Sequence, residues 1–251
     1  MPKLSGTLKD RLRLDFVRSR EGAYELYLAA SLAPQSSALV RELSDLTRRS
    51  QRWAGNRASA SSLRLAGSPE LVVRRGRRGG LMARVLSSIY VGRVPRVVVE
   101  LVLAAEARLR GIPVAQPMGA VVEWIAPCVY RSFYLTRKEE GQTLWEFART
   151  PTPAPERARI FDCAGGAIET MYRCGLCHAD LNLHNLFVTR GDGKSRVIIL
   201  DLDKARLYEH PLEPSRRARN QARLLRSVRK LDPHGKVLGP EDLSRLGLRS
   251  A

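Results

Sequence analysis

The segment from Pro155 to Asp203 constrains the fold more than any other part of the chain. Apolar residues at 160, 164, 167, 168 and 171 predict a long amphipathic helix opened by Pro155 and weakened by the Gly165-Gly166 pair. A polar loop follows, His178-Ala-Asp180-Leu-Asn182-Leu-His-Asn185. Beyond it the strand LFV, a GDGKS turn and the apolar strand VIIL read as a hairpin that ends on Asp201-Leu202-Asp203. A helix, a loop rich in potential ligands and a hairpin that delivers a carboxylate are thus placed in a fixed order.

Upstream, the reading is less regular. Residues 23–64 are expected to be helical in part, on the spacing Leu39, Val40, Leu43, Leu46. Glu70–Arg74 predicts a strand, Pro95–Arg110 a helix stopped by Gly111 and Pro113, and AVVEWIA with YRSFYLT two strands. Thr143 to Glu146 has the form of a capping box, and residues 216–231 form a basic closing helix. Strands with one main helix come first and helices second, so the class expected is α+β in two lobes. The boundaries expected are a partly helical extension over 1–50, a first lobe over 51–137 and a second over 138–251.

Transfer of a phosphoryl group from ATP needs a carboxylate to orient the attacking hydroxyl, and a second carboxylate with an amide to hold Mg²⁺. The protein-kinase form of such a loop is H-x-D-x-x-x-x-N, followed by a hairpin that ends in a metal-binding Asp. His178, Asp180 and Asn185 have that spacing, and Asp201 ends the hairpin. Asp180 is therefore the candidate base, Asn185 and Asp201 the candidate Mg²⁺ ligands, and His178 a residue that orders the loop. The bland alternative makes Asp180 a helix cap, Asn185 a turn residue and Asp201 a strand end. It must explain all three positions at once.

Cys174-Gly-Leu-Cys177-His178 also spells C-x-x-C-H, the spacing of covalent haem attachment. That attachment follows export, and MPKLSGTLKDRLRLDF has no apolar signal segment. No haem is expected, nor a zinc site. Cys174 and Cys177 read instead as small buried residues at a helix end. The same N-terminus, with no run of about 18 uncharged apolar residues, predicts a cytoplasmic chain with reduced cysteines.

Residues 178–206, HADLNLHNLFVTRGDGKSRVIILDLDKAR, resemble the lipopolysaccharide kinases that act on 3-deoxy-D-manno-octulosonic acid (Kdo). VVRRGRRGGLMARVL, GIPVAQP, YRSFYLT and NQARLLRSVRKL resemble further segments of that family, so the likeness spans about 50–231. It implies a protein-kinase-like two-lobe fold and ATP-dependent phosphorylation of the 4-hydroxyl of Kdo on a lipid A precursor, at the cytoplasmic face of the inner membrane. Carried over by position, Arg74 would contact the nucleotide phosphates and Glu100 would pair with it, with Glu106 as competitor. Residues Gly55 to Ser59 would cover the phosphates. Asn182, where protein kinases keep a lysine, would bond phosphate or sugar.

Two departures stand out. The phosphate loop has one glycine where G-x-G-x-x-G is usual, and Arg replaces Lys at the phosphate contact.

The charge fits such a partner. Forty-three Lys+Arg against 25 Asp+Glu gives +18, a balance suited to polyanions. Seven cations fall in residues 216–231 without an acid, and Arg74, Arg75, Arg77 and Arg78 form a second cluster. Both are expected to meet an anionic membrane surface. Nucleic acid is not the expected partner, since no zinc-finger or RNA-binding motif of the usual kind appears. The alternatives are another kinase-like phosphotransferase or an inactive basic module on the same fold.

Overall fold

The computed structural model describes residues 15–52, 60–76, 89–191 and 194–248. They fall into two compact units, Met1–Ala105 with Gln116–Lys138 and Glu106–Ala115 with Glu139–Ala251.

The first unit is built on an antiparallel sheet. Its elements are β1 (Phe16–Glu21), β2 (Tyr24–Ala29), α1 (Ser36–Arg52), β3 (Ala60–Leu63), β4 (Leu71–Arg75), β5 (Tyr90–Val91), α2 (Arg96–Leu109, whose last residues belong to the second unit), β6 (Pro117–Ala126) and β7 (Val129–Arg137). The strand order is β1-β2-β6-β7-β4-β3, with β5 added to β7 beyond the end of β4. Period two along β4 separates its side chains. Leu71 and Val73 join Leu26, Leu28, Leu135 and the α1 residues Leu39 and Leu43 in a core on one face. Arg74 points to the other face, where Glu100 of α2 pairs with it.

The extension expected over residues 1–50 does not stand apart from the sheet. β1 and β2 pair with each other and β2 pairs with β6, so 16–29 supply two of its strands. Only the helical part of that expectation is seen, as α1. The strands escape notice because β1, FVRSRE, buries only Phe16. An edge strand with five solvent-facing or half-buried residues carries little apolar alternation.

The second unit holds β8 (Gly141–Thr143), α3 (Leu144–Arg149), α4 (Ala154–Arg173), β9 (Leu176–Cys177), β10 (Leu186–Gly191), β11 (Lys194–Ile199), β12 (Arg206–Leu207), α5 (Pro214–Leu231) and α6 (Pro240–Arg245). Thr143 and Glu146 form the capping box that opens α3. All five apolar positions named for α4 are buried. The two glycines of α4 differ in role. A Cβ on Gly165 would lie 2.0 Å from the Arg245 carbonyl oxygen at the end of α6, whereas one on Gly166 would meet nothing within 4 Å. Gly165 lets two chain segments approach closely; Gly166 is an ordinary weak point of the helix.

Candidate active site

The loop 178–185 begins where α4 has ended and β9 has paired with β12. Cys174 caps α4 and its thiol donates to the Arg110 carbonyl (3.2 Å); Cys177, in β9, accepts from Asn220 Nδ2 (3.3 Å). Both are half-buried, not fully buried as the sequence reading had them. They serve the helix end and the strand by these bonds.

His178 is fully buried and its two ring nitrogens define one tautomer. Nδ1 accepts the Asp180 backbone N–H (3.0 Å), so it carries no proton, and Nε2 donates to the Leu200 carbonyl (2.9 Å). Burial, which disfavours the charged form, is the main cause that holds its pKa below the ordinary value. The Leu200 carbonyl and the carboxylates of Asp201 and Asp180 act against it, and Arg223 acts with it. Neither nitrogen is left for a haem iron without loss of one of these bonds.

Asp180 is held by its main chain and offers its side chain. Its N–H is fixed by His178, and its carbonyl accepts from Asn182 Nδ2 (3.0 Å) and Asn185 Nδ2 (2.8 Å). The carboxylate is exposed and takes no hydrogen bond from the described residues. This is the arrangement expected of a group that must meet a hydroxyl brought by another molecule.

Asn182 also has a part inside the loop. Its Oδ1 accepts the backbone N–H groups of His184 (2.9 Å) and Asn185 (3.1 Å), while Nδ2 donates to Asp180. The amide braces the loop as an Asx turn does. Asn185 also donates from Nδ2 to the Asp180 carbonyl, and its Oδ1 takes no hydrogen bond from the described residues.

Leu200 joins the loop to the end of β11. Its N–H donates to the Asn185 carbonyl (2.8 Å) and its carbonyl accepts from His178. The next residue, Asp201, is exposed and has φ +54°, a left-handed conformation that Asp adopts more readily than most side chains because it can bond locally. Here its Oδ1 accepts the Asp203 N–H (3.3 Å).

The sequence reading missed Asn220. It is fully buried on α5, where Oδ1 accepts the His178 backbone N–H (3.1 Å). One turn and two turns on, Leu224 and Val228 are the other buried residues of that helix. An asparagine in register with them, on the apolar stripe, is the signal that could have revealed it. Ser227 adds a second tie by accepting the Leu183 N–H (3.4 Å).

In the first unit, Arg74 pairs with Glu100, which is 6% exposed, and its guanidinium lies 5.4 Å from the centroid of Tyr134. Glu106, the competing partner, is bonded to Arg110 (2.9 Å). Gly55 and Ser59, Arg77 and Arg78 lie outside the described residues.

The family model of the lipopolysaccharide kinases (Kdo/WaaP) matches residues 47–238, three quarters of the chain. The chain belongs to the lipopolysaccharide kinase (Kdo/WaaP) family. Among curated relatives, a 3-deoxy-D-manno-octulosonic acid kinase of Xylella fastidiosa is 31% identical over 190 residues, 71% of this chain and 73% of that protein. One of Pasteurella multocida is 29% identical over 157 residues, 61% of this chain and 63% of its own length. A solved structure of WaaP in complex with acyl carrier protein aligns over 96% of this chain and 80% of its own, at 14% identity and a TM-score of 0.48. As a member of a kinase family the chain is a phosphotransferase. Its described residues form an α+β fold, with a sheet-rich first unit and a second unit that holds most of the helical residues. Among the described residues the β-rich unit carries two α-helices, Ser36–Arg52 and Arg96–Leu109, where the sequence suggested one main helix.

Proposed function

We propose that this chain is an ATP-dependent kinase that phosphorylates the 4-hydroxyl of Kdo on a lipid A precursor. The observation that carries the proposal is the Asp180 loop: a carboxylate with no protein partner among the described residues, on a main chain fixed by His178, Asn182 and Asn185.

Asp180 orients the acceptor hydroxyl and takes its proton as the new bond to phosphorus forms. His178, held neutral, positions Asp180 and does not exchange protons with the substrate. The donor set at the neighbouring strand end suits Mg²⁺. Asp201 brings one carboxylate and Asn185 one amide oxygen. The described residues hold no group of three or more His, Cys, Asp or Glu that could cage an ion. Mg²⁺ sites in kinases are of this kind, one or two protein oxygens completed by substrate phosphates and water. When bound, the ion neutralises charge on the phosphates. In the first unit, Arg74 is the candidate nucleotide-phosphate contact. Glu100 and the face of Tyr134 fix its guanidinium.

The acceptor is borne by a membrane, and the cations of α5 support a peripheral location on the inner leaflet. Arg216 and Arg217 are engaged with Glu213, Glu169 and the rings of Tyr208 and Tyr172. Arg223, Arg226, Arg229 and Lys230 make no side-chain hydrogen bond or ion pair with described residues. Each contributes about 1 kcal/mol near an anionic surface. No helix among the described residues is long and apolar enough to cross a bilayer.

The test is transfer of labelled γ-phosphate from Mg-ATP to Kdo-lipid A precursor, with Asp180→Ala as control. Label on the Kdo that is lost in the variant is the expected result. Transfer that survives in Asp180→Ala would remove the proposed base. ATP binding without transfer would redirect the search to other acceptors.

A further inference from the structure

The far end of the first unit's sheet carries an exposed apolar tip that the phosphoryl-transfer site does not use. Strands β6 and β7 join through Ile125, Ala126, Pro127 and Cys128, and the first three of these are exposed. On the other edge of β7, Val91 of β5 pairs with Val129, which in turn pairs with Ala126 of β6. Residues opposite one another in adjacent strands share a face. The Gly92 N–H donates to the Cys128 carbonyl (2.8 Å), so the segment after β5 runs beside the same turn. The described residues contain five large hydrophobic side chains that are exposed, and three are here: Val91 (64%), Val94 (63%) and Ile125 (45%).

Behind this tip Tyr130 stacks on Tyr90 at 5.5 Å and meets the edge of Trp124 at 5.4 Å. The Trp124 indole N–H donates to Glu25 (3.1 Å). The space beneath the exposed apolar turn is thus already filled by packed rings.

Its surround is basic. Arg93 and Arg96 are exposed on the segment that carries Val91 and Val94, and their side chains have no partner among the described residues. Arg20, with Arg18, lines a groove beside Ile125 and Pro127. Of the acids nearby, Glu25 accepts from Arg18, Tyr27 and Trp124, and Glu123 pairs with Arg131. Glu21, which accepts from Ser37, offsets the neighbouring Arg20 on β1. The charge left over is positive, carried by Arg93 and Arg96.

From this combination we infer that the β6–β7 tip, with Val91 and Val94, is a membrane-docking surface whose apolar residues enter the headgroup boundary of an anionic bilayer while Arg93 and Arg96 meet lipid phosphates. The occupant is a lipid surface because small exposed apolar groups fringed by arginine match an interface that is apolar inside and anionic outside. A protein face of similar apolar content would leave the two cations needing acids in register. The inference deepens the reading of a membrane-borne acceptor and rests on it for its purpose. It concerns a surface distinct from the α5 cations.

The full-length protein should be tested by flotation with vesicles of phosphatidylglycerol and phosphatidylcholine, and with phosphatidylcholine alone. Val94→Asp and Ile125→Asp should each weaken binding to the anionic vesicles by about tenfold or more, the consequence of losing one buried aliphatic side chain. Leu109→Asp makes the same charge change at another exposed apolar residue, 65% accessible and in the second unit's part of α2. It should bind within about twofold of the unmodified chain. Unchanged thermal melting, and unchanged transfer to a water-soluble Kdo acceptor, show that the variants fold and that the loss is one of docking. Equal binding by all the chains, equal binding to neutral vesicles, or a change of oligomeric state in Ile125→Asp without a change in flotation each overturns the inference. If no chain transfers phosphate to any Kdo acceptor, the substrate reading fails while flotation still decides the surface.

Discussion

Asn220→Ala removes a side chain that touches no substrate in the proposed reaction, yet it should damage both stability and turnover. The Asn220 Oδ1 is the acceptor for the backbone N–H of His178, a residue with no exposure. Deletion leaves that N–H buried without a partner, which costs about 1–3 kcal/mol. The two bonds from Nδ2, to Cys177 Sγ at 3.3 Å and to the Arg216 carbonyl at 3.4 Å, are long, and one is to sulfur. They add a few tenths of a kcal/mol at most. A total of about 2 kcal/mol is therefore expected from urea unfolding followed by circular dichroism, against about 0.5 kcal/mol or less for Arg229→Ala on the exposed side of the same helix. The released loop lets His178, and with it Asp180, leave its place. In the labelled-phosphate assay kcat should fall by about tenfold or more, with little change in KM for ATP. A variant destabilised by less than about 0.5 kcal/mol, or one destabilised as expected with kcat intact, would refute the idea that α5 positions the loop.

Two further outcomes follow from the geometry. Gly165→Ala should destabilise by about 2 kcal/mol or more, since a Cβ there meets the Arg245 carbonyl, while Gly166→Ala should stabilise by about 0.5–1 kcal/mol through helix propensity alone; unfolding midpoints that move in the same direction would contradict this. His178 has its folded pKa depressed, so below the unfolded value of 6.5 the unfolded chain takes up a proton that the folded chain resists. Its contribution to stability is complete above about pH 6.5 and is lost as the pH falls toward the folded pKa, at no more than about 1.4 kcal/mol per pH unit. The difference in unfolding free energy between pH 7.5 and 5.5 should be smaller in His178→Gln, and an identical pH profile in the two chains would count against a buried neutral imidazole.

The candidate site was legible largely because its parts are local. His178, Asp180, Asn185 and Asp201 lie within 24 residues, and their roles depend on spacing and on the elements that flank them. Arg74 could be placed from family likeness, but two glutamates on one helix left its partner open until Glu100 was seen to pair with it. What escaped the sequence was of another kind. The hairpin of β1 and β2 presents little apolar alternation, because β1 is an edge strand. The bracing part of Asn182 went unread because an amide that bonds its own backbone cannot be told in sequence from one aimed at a ligand. Asn220 is 42 residues from the N–H it satisfies. No local pattern reports a hydrogen bond at that range, although its place among Leu224 and Val228 gave a hint.

Leu200 has both of its backbone groups engaged, the N–H by Asn185 and the carbonyl by His178. In hydrogen-exchange terms this makes it a reporter. Its amide is released only when the strand end parts from the loop, and the Asp180 amide only when His178 withdraws. Because the one imidazole secures Asp180 and Leu200 together, the two amides should exchange in a single opening event with a common free energy. The base and the carboxylate after the strand would then be lost and regained as one, so that a half-assembled site has no stable population.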